Sequence, residues 1–196
     1  MKLSIRQTEK EYGTWTAEQI WQEIEAELEK QGLLLNYIIA DGEEVWENFS
    51  EYLVERQGKL QTIEVMALTL AEYTAFAAGD LAAAAKAGAE EALRLSDSFY
   101  GEQASGENWP GLSAIFEKVS ADFAAVELLH SLLQAQPGRE EQAAAVEELY
   151  SRLQADLKLF QKPLAEEDVI YIADLLHFEL ESDLRELARC CETIRD

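Results

Sequence analysis

Leu112–Leu133 reads LSAIFEKVSADFAAVELLHSLL, and Ile170–Ile194 reads IYIADLLHFELESDLRELARCCETI. In the first stretch Leu112, Phe116, Val119, Phe123, Val126, His130 and Leu133 recur at spacings of four and three. In the second, Ile170, Ala173, His177, Leu180, Leu184, Leu187, Cys191 and Ile194 do the same. Such spacing lines one face of an α-helix with apolar groups that have to be buried against other helices. Each stripe is broken once by histidine, and His130 and His177 are the only histidines in the chain.

Two further helices belong with these. Glu140 to Phe160 carries Val146, Leu149, Leu153, Leu157 and Phe160 on one face, and Lys162-Pro163 is expected to close it. Leu70 to Phe99 is helical by composition, and its middle is small-sided through Ala82–Ala85, Ala87, Gly88 and Ala89. Alanine favours helix, and small side chains let a neighbouring helix approach closely. The polar stretch Gly101 to Asn108 reads as a loop, Trp109-Pro110 as a helix start, Gln136-Pro137-Gly138 as a stop, and Glu166 as the start of the last helix. The connections before the last two helices are short, which makes successive helices antiparallel and the second and fourth parallel. The expectation for residues 69–196 is an up-down four-helix bundle.

Residues 1–68 read differently. Lys2 to Arg6 alternates, Leu33 to Ala40 is a run rich in β-formers, and Leu60 to Leu68 carries Ile63, Val65 and Met66. These are three strands. Asp41-Gly42 is a hairpin turn whose return arm is Glu44 to Trp46. Thr16 with Gln19 forms a capping box for a helix that buries Ile20, Trp21, Ile24 and Leu28 and stops at Gly32. Glu47 to Gln57 is a second helix, burying Phe49 and Leu53. The fold class is α+β: a small sheet with both helices on one face, then the bundle.

Thirty-nine acidic residues against sixteen basic ones leave a net charge of −23. A surface of that sign repels DNA, RNA and anionic membrane, so a basic protein partner fits better than nucleic acid or lipid. Mimicry of nucleic acid toward a basic groove is a second functional reading, but the acids are spread over helix faces rather than gathered in a tail, which favours plain solubility over both. No apolar run reaches the ~20 residues of a membrane span, and Met1–Arg6 is too polar for a signal peptide, so a cytoplasmic protein is expected. Cys190 and Cys191 are adjacent, with no CxxC motif, and no redox role is assigned to them.

One constellation bears on chemistry. Glu127-Leu-Leu-His130 and Asp174-Leu-Leu-His177 place a carboxylate and an imidazole at i and i+3, where both reach one metal ion. The first fits the Glu-x-x-His spacing of ferritin-like di-iron bundles; the second departs from it by using the shorter Asp. Such a site also needs one carboxylate from each remaining helix, for which Asp80 or Glu91 and Glu147 or Glu148 are available. Glu127, His130, Asp174 and His177 are therefore the candidate ligands, for iron, manganese or zinc. Helix geometry opposes the site, because counting from the helix starts leaves the two histidines offset by about 13 Å along the axis. The competing reading makes both histidines amphipathic core residues bonded to a neighbour such as Tyr73, Tyr150 or Tyr171, with no cofactor.

No GxSxG, Walker, dinucleotide-binding or Cys/His cluster pattern is present. Paired acids such as Glu43-Glu44, Glu90-Glu91 and Glu166-Glu167 are ordinary on an acidic helical surface. Amphipathic helices, acidity and four tryptophans (Trp15, Trp21, Trp46, Trp109) accord best with a non-enzymatic interaction or adaptor module, with a protein partner or a second copy of the chain.

Overall fold

Thr16 and Gln19 exchange the two hydrogen bonds of a capping box, Gln19 N to Thr16 Oγ1 at 3.2 Å and Thr16 N to Gln19 Oε1 at 3.1 Å. They open α1 (Ala17–Gln31), which Gly32 ends at φ 63°, a backbone angle that glycine adopts without strain. The computed structural model describes residues 1–101 and 108–195, and the chain divides into two compact units, Met1–Tyr73 and Thr74–Asp196. Thr16→Ala should lower the stability of the first unit by about 1 kcal/mol, because the Gln19 amide loses its Thr16 Oγ1 acceptor. Urea unfolding read by hydrogen exchange of α1 amides checks this.

The first unit is a mixed sheet of β1 (Lys2–Ile5), β2 (Thr8–Glu11), β3 (Leu33–Ala40), β4 (Glu43–Val45) and β5 (Thr62–Thr69), in the order β2-β1-β5-β3-β4. Beyond the three strands and the hairpin return arm expected from the sequence, the sheet contains one further strand, β2. β2 is TEKE and mostly exposed, so no apolar alternation announces it; it is held by antiparallel pairing with β1. β4 is the expected return arm, joined through Asp41 (φ 50°) and Gly42 (φ 90°), both in the left-handed region as a two-residue hairpin requires. β1 runs parallel to β5, and β3 antiparallel to it with a bulge at Asn36.

Leu3 and Ile5, Ile63, Val65 and Ala67, and Ile38 and Ala40 point to one face of this sheet. There they share a core with Ile20, Ile24 and Leu28 of α1 and with Leu53 of α2 (Phe49–Glu55). Both helices lie on that face, as the sequence predicts.

β5 passes directly into α3 (Leu70–Tyr100). Thr69 and Glu72 form a second capping box, Thr69 N donating to Glu72 Oε2 at 2.6 Å and Glu72 N to Thr69 Oγ1 at 3.2 Å. The Thr-Leu-Ala-Glu signal stands in the sequence and accounts for the switch from strand to helix.

The second unit is a bundle of four long helices: α3, α4 (Asn108–Gln134), α5 (Glu140–Leu159) and a fourth that is broken in character. A short α6 (Gln161–Glu166) precedes that fourth helix, which comprises α7 (Val169–Asp174), a π turn (Leu175–Leu180) and α8 (Glu181–Arg195). Side-chain contacts fix the directions. Thr74–Gln136 and Phe99–Trp109 make α3 and α4 antiparallel, and Phe116–Phe160 and Glu127–Tyr150 do so for α4 and α5. Arg139–Ile194 and Arg152–Asp183 do the same for α5 and the fourth helix, and Lys86–Glu192 and Ser96–Ala173 for the fourth and α3. The second and fourth helices are therefore parallel across the bundle.

Along α3, Ala78, Ala82, Ala85, Ala89 and Ala92 are buried, and a Cβ added at Gly88 would lie 3.2 Å from Leu184 Cδ1. The small-sided stretch serves close packing, with alanine filling the helix and glycine admitting the leucine.

Three boundaries differ from the sequence reading. Lys162-Pro163 does not close the third helix. Pro163 sits in the first turn of α6, where its missing N–H is no loss, and the reversal comes at Glu167, φ 53°. The last helix starts at Val169 rather than Glu166, with Asp168 Oδ1 accepting from Tyr171 N at 3.1 Å as its cap. Ile170, taken as the first residue of the buried stripe, is 54% exposed. The loop expected between Gly101 and Asn108 falls on residues 102–107, outside the described residues, and Asn108 is already helical.

Candidate functional site

Glu127 and His130, one turn apart on α4, both face α5. Glu127 Oε1 accepts from the Tyr150 hydroxyl at 2.5 Å, which raises the phenol above its ordinary pKa because the bond needs its proton. His130 Nε2 lies 3.2 Å from Gln134 Nε2 and 3.8 Å from Glu147 Oε2. Val126, Glu127, His130, Ser131, Glu147 and Tyr150 line a cleft of about 350 Å³. Phe123 packs edge-on against Tyr150 at its side, ring centres 5.2 Å apart.

Asp174 and His177 lie elsewhere. Asp174 faces α3 and accepts from the Tyr100 hydroxyl, and that phenol too is raised by the bond. His177 stands in the π turn, its ring packed edge-on against Phe178 at 4.5 Å, and its Nδ1 is buried without a hydrogen-bond partner. The level of His130 on α5 is Glu147. The fourth helix meets that part of α5 between Glu186 and Ile194, since Arg152 contacts Glu186 and Arg139 contacts Ile194. His177 lies nine residues before Glu186, about 13 Å along the axis.

The structure thus brings Glu127 and His130 into one cleft and keeps Asp174 and His177 away from it. Among the described residues no three His, Cys, Asp or Glu groups come together in a metal-holding arrangement. Of the added carboxylates, Glu147 reaches the α4–α5 cleft, Glu91 is taken by Arg94 at 2.8 Å, and Asp80 and Glu148 are exposed. Neither histidine bonds a tyrosine: their neighbours are Gln134 and Glu147 for one and Phe178 for the other.

A buried charge network escaped the sequence reading. Asp156 on α5 and Asp183 on α8 are 8% and 7% exposed and hydrogen-bonded to each other. A second carboxylate so close favours the protonated form of Asp156. Burial, then the bond to Asp183, pushes Asp156 up to about 7. Arg152 holds Asp183 through Nε (3.1 Å) and Nη2 (2.9 Å) and also pairs with Glu186. Arg152 and Glu186 border a cleft of about 290 Å³ with Arg189, Cys190 and Thr193, and the carboxyl pair lies behind Arg152 rather than among the cleft's lining residues. The available signal was Arg152-x-x-x-Asp156, an i,i+4 pair whose acid lies three residues after the buried Leu153.

Both cysteines are free, and burial pushes the Cys191 thiol up to about 12, so it is a packed, unreactive group. Among the described residues no helix is long and apolar enough to cross a membrane.

Large apolar side chains stand exposed in both units. In the first unit they include Leu34, Trp46 (52%), stacked on Tyr37 at 4.2 Å, and Val54 on α2. In the bundle they include Phe76, Leu128 and Leu159, and on the fourth helix Ile170, Tyr171 and Phe178 (61%), with Tyr100 tied to that helix through Asp174. Trp15 and Trp109, placed at helix starts by the sequence, are half-buried, and Trp109 packs edge-on against Phe99. The chain matches no protein-family model, no curated protein and no solved structure.

Proposed function

We propose that this chain is a non-enzymatic, acidic protein-interaction module of the cytoplasm whose partner is a basic protein. The observation that carries the reading is the exposure of Trp46, Val54, Ile170 and Phe178 on a surface otherwise dominated by acid. Solvated surfaces tolerate single apolar residues; aromatic and branched side chains grouped beside one another are what interfaces bury. The clefts are lined by groups already bonded to one another, Tyr150 to Glu127 and Arg152 to Glu186, which favours structure over catalysis. The separation of the Glu127–His130 and Asp174–His177 pairs also favours this reading over a carboxylate–histidine metalloenzyme.

Photo-crosslinking residues placed in cells at Trp46, Val54, Ile170 and Phe178, with exposed Glu25 as control, test this. The expected result is one recurrent crosslinked protein from at least one apolar position and none from the control. Crosslinks indistinguishable from the control at all four positions would remove the reading.

A further inference from the structure

We propose that the outward face of the fourth helix, with Ile170 and Tyr171 before the π turn and Phe178 within it, is the docking surface for a basic amphipathic helix of the partner. This rests on the interaction reading and names its surface. Ile170, Tyr171, Asp174 and Phe178 follow one another at one, four and eight positions from Ile170, so they share a sector of the helix. The sector is about 12 Å long, two turns of an opposing helix. Asp174 is bonded to Tyr100, itself exposed, which extends the apolar face onto α3. Grooves and ridges of this size receive amphipathic helices through anchors spaced at helical intervals.

The occupant's charge follows from the surround. Between Glu166 and Asp183 there are seven acids and neither lysine nor arginine. Glu166, Glu167 and Glu179 are exposed, and their carboxylates make no hydrogen bond or ion pair among the described residues. A second copy of this chain would bring the same seven acids against these, and an anionic bilayer would be repelled likewise. A helix with lysines flanking an apolar stripe meets both the acids and the apolar ridge.

The local backbone agrees with this placement. The six-residue π turn Leu175–Leu180 is the one π-helical segment among the described residues, and it carries both Phe178 and the unpaired Nδ1 of His177. Single π turns within α-helices concentrate at functional sites because an extra residue per turn is otherwise disfavoured.

The test uses the full chain and a fluorescein-labelled 18-residue helix of leucine and lysine with leucines at helical spacing, plus a leucine–glutamate twin. Fluorescence anisotropy should show the lysine peptide binding the parent chain and the twin not binding. Ile170→Ser with Phe178→Ser, both exposed and expected to leave the melting temperature unchanged, should weaken binding at least tenfold. Equal binding to the double variant would mean charge adsorption alone and would overturn the proposal, as would failure of the lysine peptide to bind. Dimerisation of the parent chain in light scattering, or capture by anionic phosphatidylserine vesicles, would overturn it too if abolished by the same substitutions. Crosslinks from Trp46 or Val54 alongside such a failure would leave the interaction reading standing on a different surface; their absence as well would remove both.

Discussion

Phe160→Ala should destabilise the helical bundle by about 4 kcal/mol, lowering its melting temperature by roughly 10–15 °C. Phe160 lies just beyond α5, 1% exposed, with its ring edge-on to Phe116 of α4 at 5.0 Å and 75°. Truncation removes the transfer free energy of the ring and leaves a cavity at a corner where α5 turns into α6, so the walls can close on it only in part. The aromatic pair adds to the loss. The neighbouring Leu159 is 46% exposed, and Leu159→Ala should change stability by less than about 0.5 kcal/mol. Far-UV circular dichroism in a denaturant series on both variants is the measurement. Equal, small effects would show that the corner does not belong to the core.

The second large effect depends on pH. In the folded chain Asp156 titrates at about 7; in the unfolded chain an aspartate titrates near ~3.9. Between those values the folded state holds a proton that the unfolded state has released, so this group's contribution to stability falls as pH rises. The contribution is neutral below pH ~4, declines through the window and reaches its full penalty above about 7. Asp156→Asn keeps the hydrogen bond to Asp183, with the amide as donor, and removes the titration. The variant should match the parent near pH 4 and exceed it at pH 8.5 by about 2 kcal/mol, less than the bare shift implies because water reaches the rim of the pair. Urea unfolding of both proteins across this range isolates the contribution of the pair, since the carboxylates that do not contact Asp156 contribute equally to both. Parallel stability curves would dismiss the raised Asp156.

Much of the bundle is legible in the chain. Leu112, Val119, Val126 and Leu133 on α4, and Leu180, Leu184, Leu187, Cys191 and Ile194 on the fourth helix, are buried where the spacing puts them. The same spacing places the histidines on the stripe without saying what they meet. His130 ends half-buried beside Gln134 and Glu147, and His177 sits in a π turn. A π turn arises from competition between helix hydrogen bonding and packing against three neighbours, and no residue in LLHFEL announces it. Ile170 is periodic yet exposed because the reversal at Glu167 and the cap at Asp168 begin the helix with that residue facing outward.

The sheet divides along the same line. Alternation in Lys2–Ile5 and Thr62–Thr69, the Asp41-Gly42 turn and the Thr16 and Thr69 capping boxes are local, and each acts through its own few residues. β2 has no apolar side of its own and is a strand because β1 offers it a ladder of backbone partners. By itself the sequence determined the α+β division, the helix count of the bundle, the hairpin turn and most of the core. Only the tertiary structure decided the pairing of Asp156 with Asp183, the separation of the two carboxylate–histidine pairs and the exposed ridge at Ile170, Tyr171 and Phe178. Periodicity and capping are properties of neighbouring residues; burial, carboxyl pairing and exposure depend on which distant residues arrive, and helix spacing alone does not carry that information.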